Sequence, residues 1–131
     1  MMIIGLAQLS SCQGKIDIKL AQYVVNGQKL YKTHCQNCHG AKGEGLGKLY
    51  PPLTDHEFLE KNKKNIACII KNGLSGEIEI NGQIYNQPMP SNKNLNNVDI
   101  AYIITYITNT FGKSNSVYTA GEVQSNLKDC L

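Results

Sequence analysis

The segment CQNCHG, residues 35–40, carries two thiols and an imidazole at a spacing that is suited to binding a cofactor or metal. Cys35, Cys38 and His39 form a C-x-x-C-H pattern, which is typical of covalent haem attachment through two thioethers and an adjacent axial imidazole. The same residues could supply part of a structural zinc site. A thioredoxin-like redox pair is a weaker alternative, because that motif needs no histidine after the second cysteine. The segment alone leaves haem and zinc open.

The remaining candidate ligands favour haem. A zinc site commonly needs a second pair of ligands at short spacing. Four other candidates are isolated in the sequence: His34, His56, Cys68 and Cys130. A haem needs only one further axial donor, and Met89 is the only methionine after the first two residues. It lies between two prolines in a predicted loop, where a methionine that fills a core is not expected.

The composition is that of one globular domain of 131 residues, with 41% hydrophobic residues. Aromatic residues make up only 7% and tryptophan is absent, so a core filled partly by a large prosthetic group would fit this composition. All thirteen basic residues are lysines, and the formal net charge is +3. The clustered Arg and Lys with interleaved aromatic residues that mark a nucleic-acid binder are absent, so nucleic acid is not expected as a partner.

Hydrophobic periodicity predicts mainly helices. One helix runs from about Ala21 to the C-x-x-C-H segment, with Gly27 inside it at a cost of about 1 kcal/mol relative to alanine. A second and a third are predicted over 55–64 and around 66–70. The best-patterned helix begins after Asn96 as N-cap. A capping box at Thr119 predicts a short terminal helix.

Two other segments have clear turn signals. Four glycines and two prolines in GAKGEGLGKLYPPL predict a long loop after the C-x-x-C-H segment. The alternating pattern of GEIEINGQIY around Asn81-Gly82 predicts a two-stranded hairpin over 77–85.

The N-terminus resembles the end of a bacterial lipoprotein signal. MMIIGLAQLSSC is uncharged and mostly apolar, and Leu9-Ser10-Ser11-Cys12 is similar to a lipobox, in which the cysteine is lipidated. This resemblance implies a leader over 1–11, a lipid on Cys12 and a tether over 12–21. An ordinary secretion leader with an incidental Cys12 is the alternative. Membrane contact is therefore expected through a lipid, since no apolar stretch approaches the roughly 20 residues that span a bilayer.

The order of these elements is similar to that of a class I c-type cytochrome. The resemblance covers roughly 22–128 and rests on the C-x-x-C-H segment, on "IACIIKNGLSGEIEINGQIYNQPMPSNKNLNNVDIAYIITYITNTFG", and on the helix that this stretch ends with. It implies an all-α cytochrome c fold of about four to five short helices around one covalent haem c, with a small hairpin insertion. The implied cytochrome c domain is 22–112, followed by a C-terminal extension with a short helix over 113–131.

The family resemblance also implies roles for individual residues. Cys35 and Cys38 would form the thioethers, His39 would be the proximal iron ligand and Met89 the distal one. The backbone carbonyl of one proline of the pair Pro51-Pro52, with Pro52 preferred, would accept a hydrogen bond from the other ring nitrogen of His39.

The resemblance implies packing for two more residues. Gly27 and Tyr31 would meet the helix that follows Asn96 near Tyr106, where two helices cross at close range.

If Cys12 carries lipid and the C-x-x-C-H cysteines carry haem, Cys68 and Cys130 remain as a pair in an oxidising compartment. A disulfide between them is therefore expected, with Cα atoms no more than about 7 Å apart.

The function implied is single-electron transfer by a periplasmic, lipid-tethered carrier in a respiratory chain, with no catalytic residues. Its partners would be redox proteins, and lysines such as Lys42, Lys48 and Lys93 could steer an acidic one. The alternative is a dedicated cytochrome subunit or detached domain of a larger redox enzyme such as a nitrite reductase or terminal oxidase. A haem sensor or peroxidase-like enzyme is a third hypothesis, and it requires Met89 to dissociate.

Overall fold

The computed structural model of the protein describes residues 17–130, and within this range the chain forms six helices and one two-stranded antiparallel sheet. The elements, in chain order, are α1 (Ile18–His34), α2 (Gln36–His39), α3 (His56–Lys61), α4 (Lys63–Asn72), β1 (Ile78–Ile80), β2 (Gln83–Tyr85), α5 (Asn97–Thr110) and α6 (Ala120–Leu127). The predicted all-α class with a small hairpin is confirmed. The structure has one helix more than the four to five predicted, because the C-x-x-C-H segment forms a separate short helix, α2.

The predicted leader over 1–11 and the predicted lipid on Cys12 lie outside the described residues. Helix α1 begins at Ile18, where the Asp17 side chain accepts a hydrogen bond from the Leu20 N–H at 3.1 Å. Residues 18–21 of the predicted tether are therefore helical. The periodicity did not reveal this turn because Ile18 is 69% exposed, so the apolar stripe does not extend to it.

Helices α1 and α5 cross at close range, and Gly27 makes the crossing possible. A Cβ atom at Gly27 would lie 2.6 Å from the Tyr106 Cβ and closer still to the Tyr102 carbonyl oxygen. One turn further along α1, the ring of the fully buried Tyr31 lies 5.3 Å from that of Tyr106, measured between centroids. Only a residue without a side chain lets the two helices approach this closely. The packing gained at the crossing therefore outweighs the cost of glycine within a helix.

The C-terminal extension packs into the same core as the rest of the chain. Asn96 begins α5 as its N-cap and a capping box at Thr119 begins α6, as predicted, and Asp99 completes a capping box at Asn96 as well. The hydroxyl of the buried Thr105 accepts the Tyr118 N–H at 2.9 Å, which fixes the connection between the two helices. Val123 on α6 is fully buried in the core cluster that α4 and α5 share.

A disulfide between Cys68 on α4 and Cys130 after α6 holds the end of the extension, with Cα atoms 5.6 Å apart. This distance is inside the limit of about 7 Å for such a pair. The bond joins the extension covalently to α4.

The hairpin forms at the predicted place, around the predicted turn. Ile78 pairs with Tyr85 and Ile80 with Gln83. Asn81 and Gly82 connect the strands, both with positive φ (51° and 76°), as a two-residue hairpin turn of the I′ type requires.

Candidate haem site

The C-x-x-C-H residues lie on one tight helical turn. The N–H groups of Cys38 and His39 both donate to the Cys35 carbonyl, at 3.2 and 3.0 Å. All three side chains line the same cavity. Burial, and to a smaller extent the neighbouring Cys38, raises the pKa of the Cys35 thiol to about 11. Reactive redox cysteines have a lowered pKa, so this thiol is unlike one of a thioredoxin-like pair.

His39 is oriented by a backbone carbonyl. It is 9% exposed, and its Nδ1 lies 2.8 Å from the Pro51 oxygen. Since a carbonyl oxygen can only accept, Nδ1 carries the proton and Nε2 keeps its lone pair free for a metal. Burial lowers the pKa of His39, against the opposing effect of the bond to Pro51, so the ring is held neutral. A neutral imidazole is the form that binds iron.

The prediction that Pro52 provides this carbonyl is wrong, because Pro51 provides it. The Leu53 N–H donates to the Gly43 carbonyl at 2.7 Å. In a trans peptide the carbonyl points opposite to the N–H, so the Pro52 carbonyl is directed away from Gly43 and the preceding carbonyl meets the ring. Sequence alone could not distinguish two adjacent prolines whose carbonyls differ only in direction.

Tyr31 has a further role that the sequence analysis missed. Its hydroxyl donates to the Gly40 carbonyl at 2.6 Å, immediately after the C-x-x-C-H segment, and its ring lines the cavity. Burial raises the pKa of Tyr31, so the hydroxyl stays protonated and remains a donor. The Gly45 N–H in turn donates to the His39 carbonyl at 2.7 Å, so the glycine-rich loop and α1 together fix this turn.

Met89 lies on the wall of the same cavity, in the segment between the hairpin and α5. Its backbone forms two hydrogen bonds with Leu74, at 2.9 and 3.0 Å. Gly73 permits this approach, because a Cβ atom there would lie against the Met89 carbonyl and 2.9 Å from the Ser91 nitrogen. Gly73 also ends α4 with a φ of +77°, which is the role that its sequence position predicts.

The space between the residues that line this cavity is about 1010 Å³, a figure that includes solvent at its open mouth. Its wall is mainly aliphatic and comes from the loop, the hairpin, the Met89 segment and the five helices α1 to α5. The aliphatic side chains include Leu53, Leu59, Ile66, Ile70, Leu74, Ile78, Ile80, Ile103 and Ile107. A large apolar ring with two thioether links and an axial imidazole fits this wall, so these residues fit a covalent haem.

The zinc alternative lacks its ligands. In the part of the chain that the structure describes, no group of three or more His, Cys, Asp or Glu side chains is placed to hold a metal ion. His34 and His56 are exposed and do not line the cavity, and Cys68 and Cys130 are joined to each other.

This fold and site define a class, the proteins that hold a covalently attached haem in an apolar cavity closed by helices. A model of the cytochrome c family matches residues 24–111. A cytochrome c-552 from Thermus thermophilus is 32% identical over 114 residues, in a match that covers 80% of this chain and 76% of the relative. A second cytochrome c-552 from Thermus thermophilus is 32% identical over 108 residues, 76% of this chain and 82% of the relative. The chain belongs to the cytochrome c family. It is an electron-transfer protein, not an enzyme, and its cofactor is covalently attached haem c.

Proposed function

We propose that the protein holds one haem between His39 and Met89 and carries single electrons in a bacterial respiratory chain. The observation that carries this proposal is the position of Met89, which lines the cavity that Cys35, Cys38 and His39 also line. Haem c supplies the one-electron redox centre. His39 is prepared as a ligand by its bond to Pro51, and the thioether of Met89 is a suitable second donor.

Two protein ligands explain why the proposed role is electron transfer. If the His39 imidazole and the Met89 thioether both hold the iron, no coordination position would be open to substrate or O₂. A thioether ligand and an apolar surrounding both favour the less charged ferrous state, so we expect a reduction potential above that of a bis-histidine haem. A sensor or peroxidase-like activity would need Met89 to leave.

Substitution of Met89 tests the ligand assignment. We expect Met89→Ala to remove the far-red absorption band by which a thioether on ferric haem is recognised, and to let the ferrous protein bind CO. Gln87→Ala is a matched control, because Gln87 lines the same cavity but is exposed. It should keep the band and exclude CO. A Met89→Ala protein with an unchanged spectrum would remove Met89 from the site, and CO binding by the unaltered protein would favour a sensor.

We propose that the redox partners present acidic surfaces. Lys42, Lys48 and Lys93 are exposed. Within residues 17–130 the one salt bridge joins Lys61 to Glu57, so none of these three lysines forms a salt bridge there. We expect the rate of electron exchange with an acidic partner protein to fall as ionic strength rises, as stopped-flow mixing would measure. A rate that is independent of salt would contradict this steering, and a complex that survives purification would favour a dedicated subunit.

We propose a periplasmic location with a lipid anchor at Cys12. No helix in the described range 17–130 is long and apolar enough to cross a membrane. Cys12 precedes the start of α1 at Ile18 by six residues, so a lipid there would hold the domain close to the bilayer. We expect the mature protein to partition into detergent and the Cys12→Ser variant to remain in the aqueous phase. Equal partitioning of the two would contradict the anchor.

A further inference from the structure

The segment that carries Met89 is attached to the end of α4 by more than the pairing with Leu74. We call residues 88–95 the Met89 loop. Asn92 lies in the middle of this loop, and its side-chain amide donates to the Ile70 carbonyl at 3.1 Å. The backbone N–H of Asn92 is shared between the carbonyls of Ile70 and Lys71, each at 3.2 Å. These carbonyls belong to the last turn of α4, where helix carbonyls have no partner within the helix.

Lys71, on the last turn of α4, forms hydrogen bonds of the opposite polarity, in which the helix residue is the donor and the loop provides the acceptors. Its ammonium donates to the Lys93 carbonyl at 2.8 Å and to the Leu95 carbonyl at 2.6 Å. Lys71 is half-buried, and no carboxylate pairs with it in the described part of the chain. An ammonium that is partly removed from water needs fixed acceptors, and here both acceptors are backbone atoms of the Met89 loop. Hydrogen bonds from a charged donor are stronger than those between neutral groups.

Apart from the pairing of Met89 with Leu74, the contacts from Asn92 and Lys71 are the hydrogen bonds that join this loop to α4. Met89 is flanked by Pro88 and Pro90, both exposed, and proline has no N–H to donate. Leu95, at the far end of the loop, is 5% exposed and belongs to the core cluster. The segment between Met89 and Leu95 is therefore fixed by the contacts from Asn92 and Lys71.

We propose that Lys71 and Asn92 are positioning residues for Met89, holding the Met89 loop against α4 so that the thioether stays at the haem iron. The inference rests on the proposed ligation by Met89. A ligand on a loop that opens more often is displaced more often, since the rate at which a competitor enters depends on the population of the open loop. The two residues act on the site through the backbone of the loop and touch no cofactor atom themselves.

Exogenous imidazole is the probe, because it must replace Met89 to bind the ferric holoprotein. We expect Lys71→Met, which keeps the aliphatic length and removes the donor, to raise the association rate of imidazole roughly tenfold or more. Asn92→Ala should raise it in the same direction. Lys71→Arg, which keeps charged donors, should restore much of the protection. Lys64→Met is the matched control, since Lys64 is an exposed lysine on the same helix, and its rate should stay within about twofold of the unaltered protein.

The outcomes separate this inference from the ligand assignment. If Met89→Ala leaves the far-red band unchanged, the ligation itself is wrong and the inference falls with it. If Met89→Ala abolishes the band while Lys71→Met and Asn92→Ala bind imidazole at the original rate, the positioning role alone is wrong. If Lys71→Met and Asn92→Ala lower the melting temperature but do not speed the reaction with imidazole, the two residues have a structural role only. That result would also overturn the positioning role. Should Lys71→Met fail to fold, Asn92→Ala decides, because it removes only one neutral side-chain hydrogen bond.

Discussion

Without its haem, the chain is expected to lose cooperative folding. The cavity wall includes most of the large aliphatic residues of α3, α4 and the hairpin, and their packing partner in the centre would be the porphyrin. A cavity the size of one leucine side chain costs about 3 to 5 kcal/mol. A porphyrin is larger than a leucine side chain, so the gap that it leaves among these residues should cost at least a comparable amount, while a small domain is stable by only about 5 to 15 kcal/mol.

A protein that cannot attach haem tests this expectation. Cys35→Ala with Cys38→Ala removes both thioether positions, and we expect the haem-free product to have a weak helical circular dichroism signal and no sharp thermal transition. Addition of free haem is the control, because His39 and Met89 remain and a non-covalently bound ring should restore helicity. A haem-free chain that unfolds cooperatively would mean that α1, α5 and α6 fold on their own, and would contradict the cofactor's role in the core.

The parts of the fold that depend on local patterns were predictable from the sequence. The N-cap at Asn96, the capping box at Thr119 and the turn at Asn81-Gly82 each place a few neighbouring residues in one conformation, so local sequence identifies them. Gly27 was informative because a glycine inside a helix is costly, and the resemblance to class I cytochromes supplied the crossing helix that explains it.

What the sequence did not reveal are contacts that depend on direction. Whether Pro51 or Pro52 meets His39 is decided by the orientation of two consecutive peptide planes, which leaves no trace in residue type. The Tyr31 hydroxyl bond to Gly40 is of the same kind, since a buried tyrosine at a helix crossing is already explained by its ring.

The support of the Met89 loop was hidden for a related reason. Lys71 is one lysine among thirteen, and only its position at the end of α4 gives its ammonium backbone acceptors across the chain. Asn92 lies in a polar stretch in which any asparagine would be assigned to a turn.

Loss of the disulfide between Cys68 and Cys130 is expected to have the second largest effect on stability. The bond spans 62 positions, and closing a loop of that length removes enough entropy from the unfolded chain to stabilise the protein by about 4 kcal/mol. We therefore expect Cys68→Ala with Cys130→Ala to lower the melting temperature of the holoprotein by roughly 10 to 20 °C. Denaturant titration of the double variant and of each single variant would measure the change in the free energy of unfolding.

The single variants show whether the bond or its packing is responsible. Cys68 is 8% exposed on α4, so its truncation leaves a small gap, whereas Cys130 is only partly buried near the chain end. If the covalent bond dominates, either single variant should be destabilised nearly as much as the double variant, since each breaks the same bond. A small change for Cys130→Ala beside a large one for Cys68→Ala would instead assign the effect to packing on α4.

Cys68 precedes Lys71 by one helical turn, yet the Met89 loop is bonded to the last turn of α4 and not to α6. We therefore expect the double variant to keep the far-red band at temperatures where it is folded, so that global stability and ligation of Met89 separate in one protein.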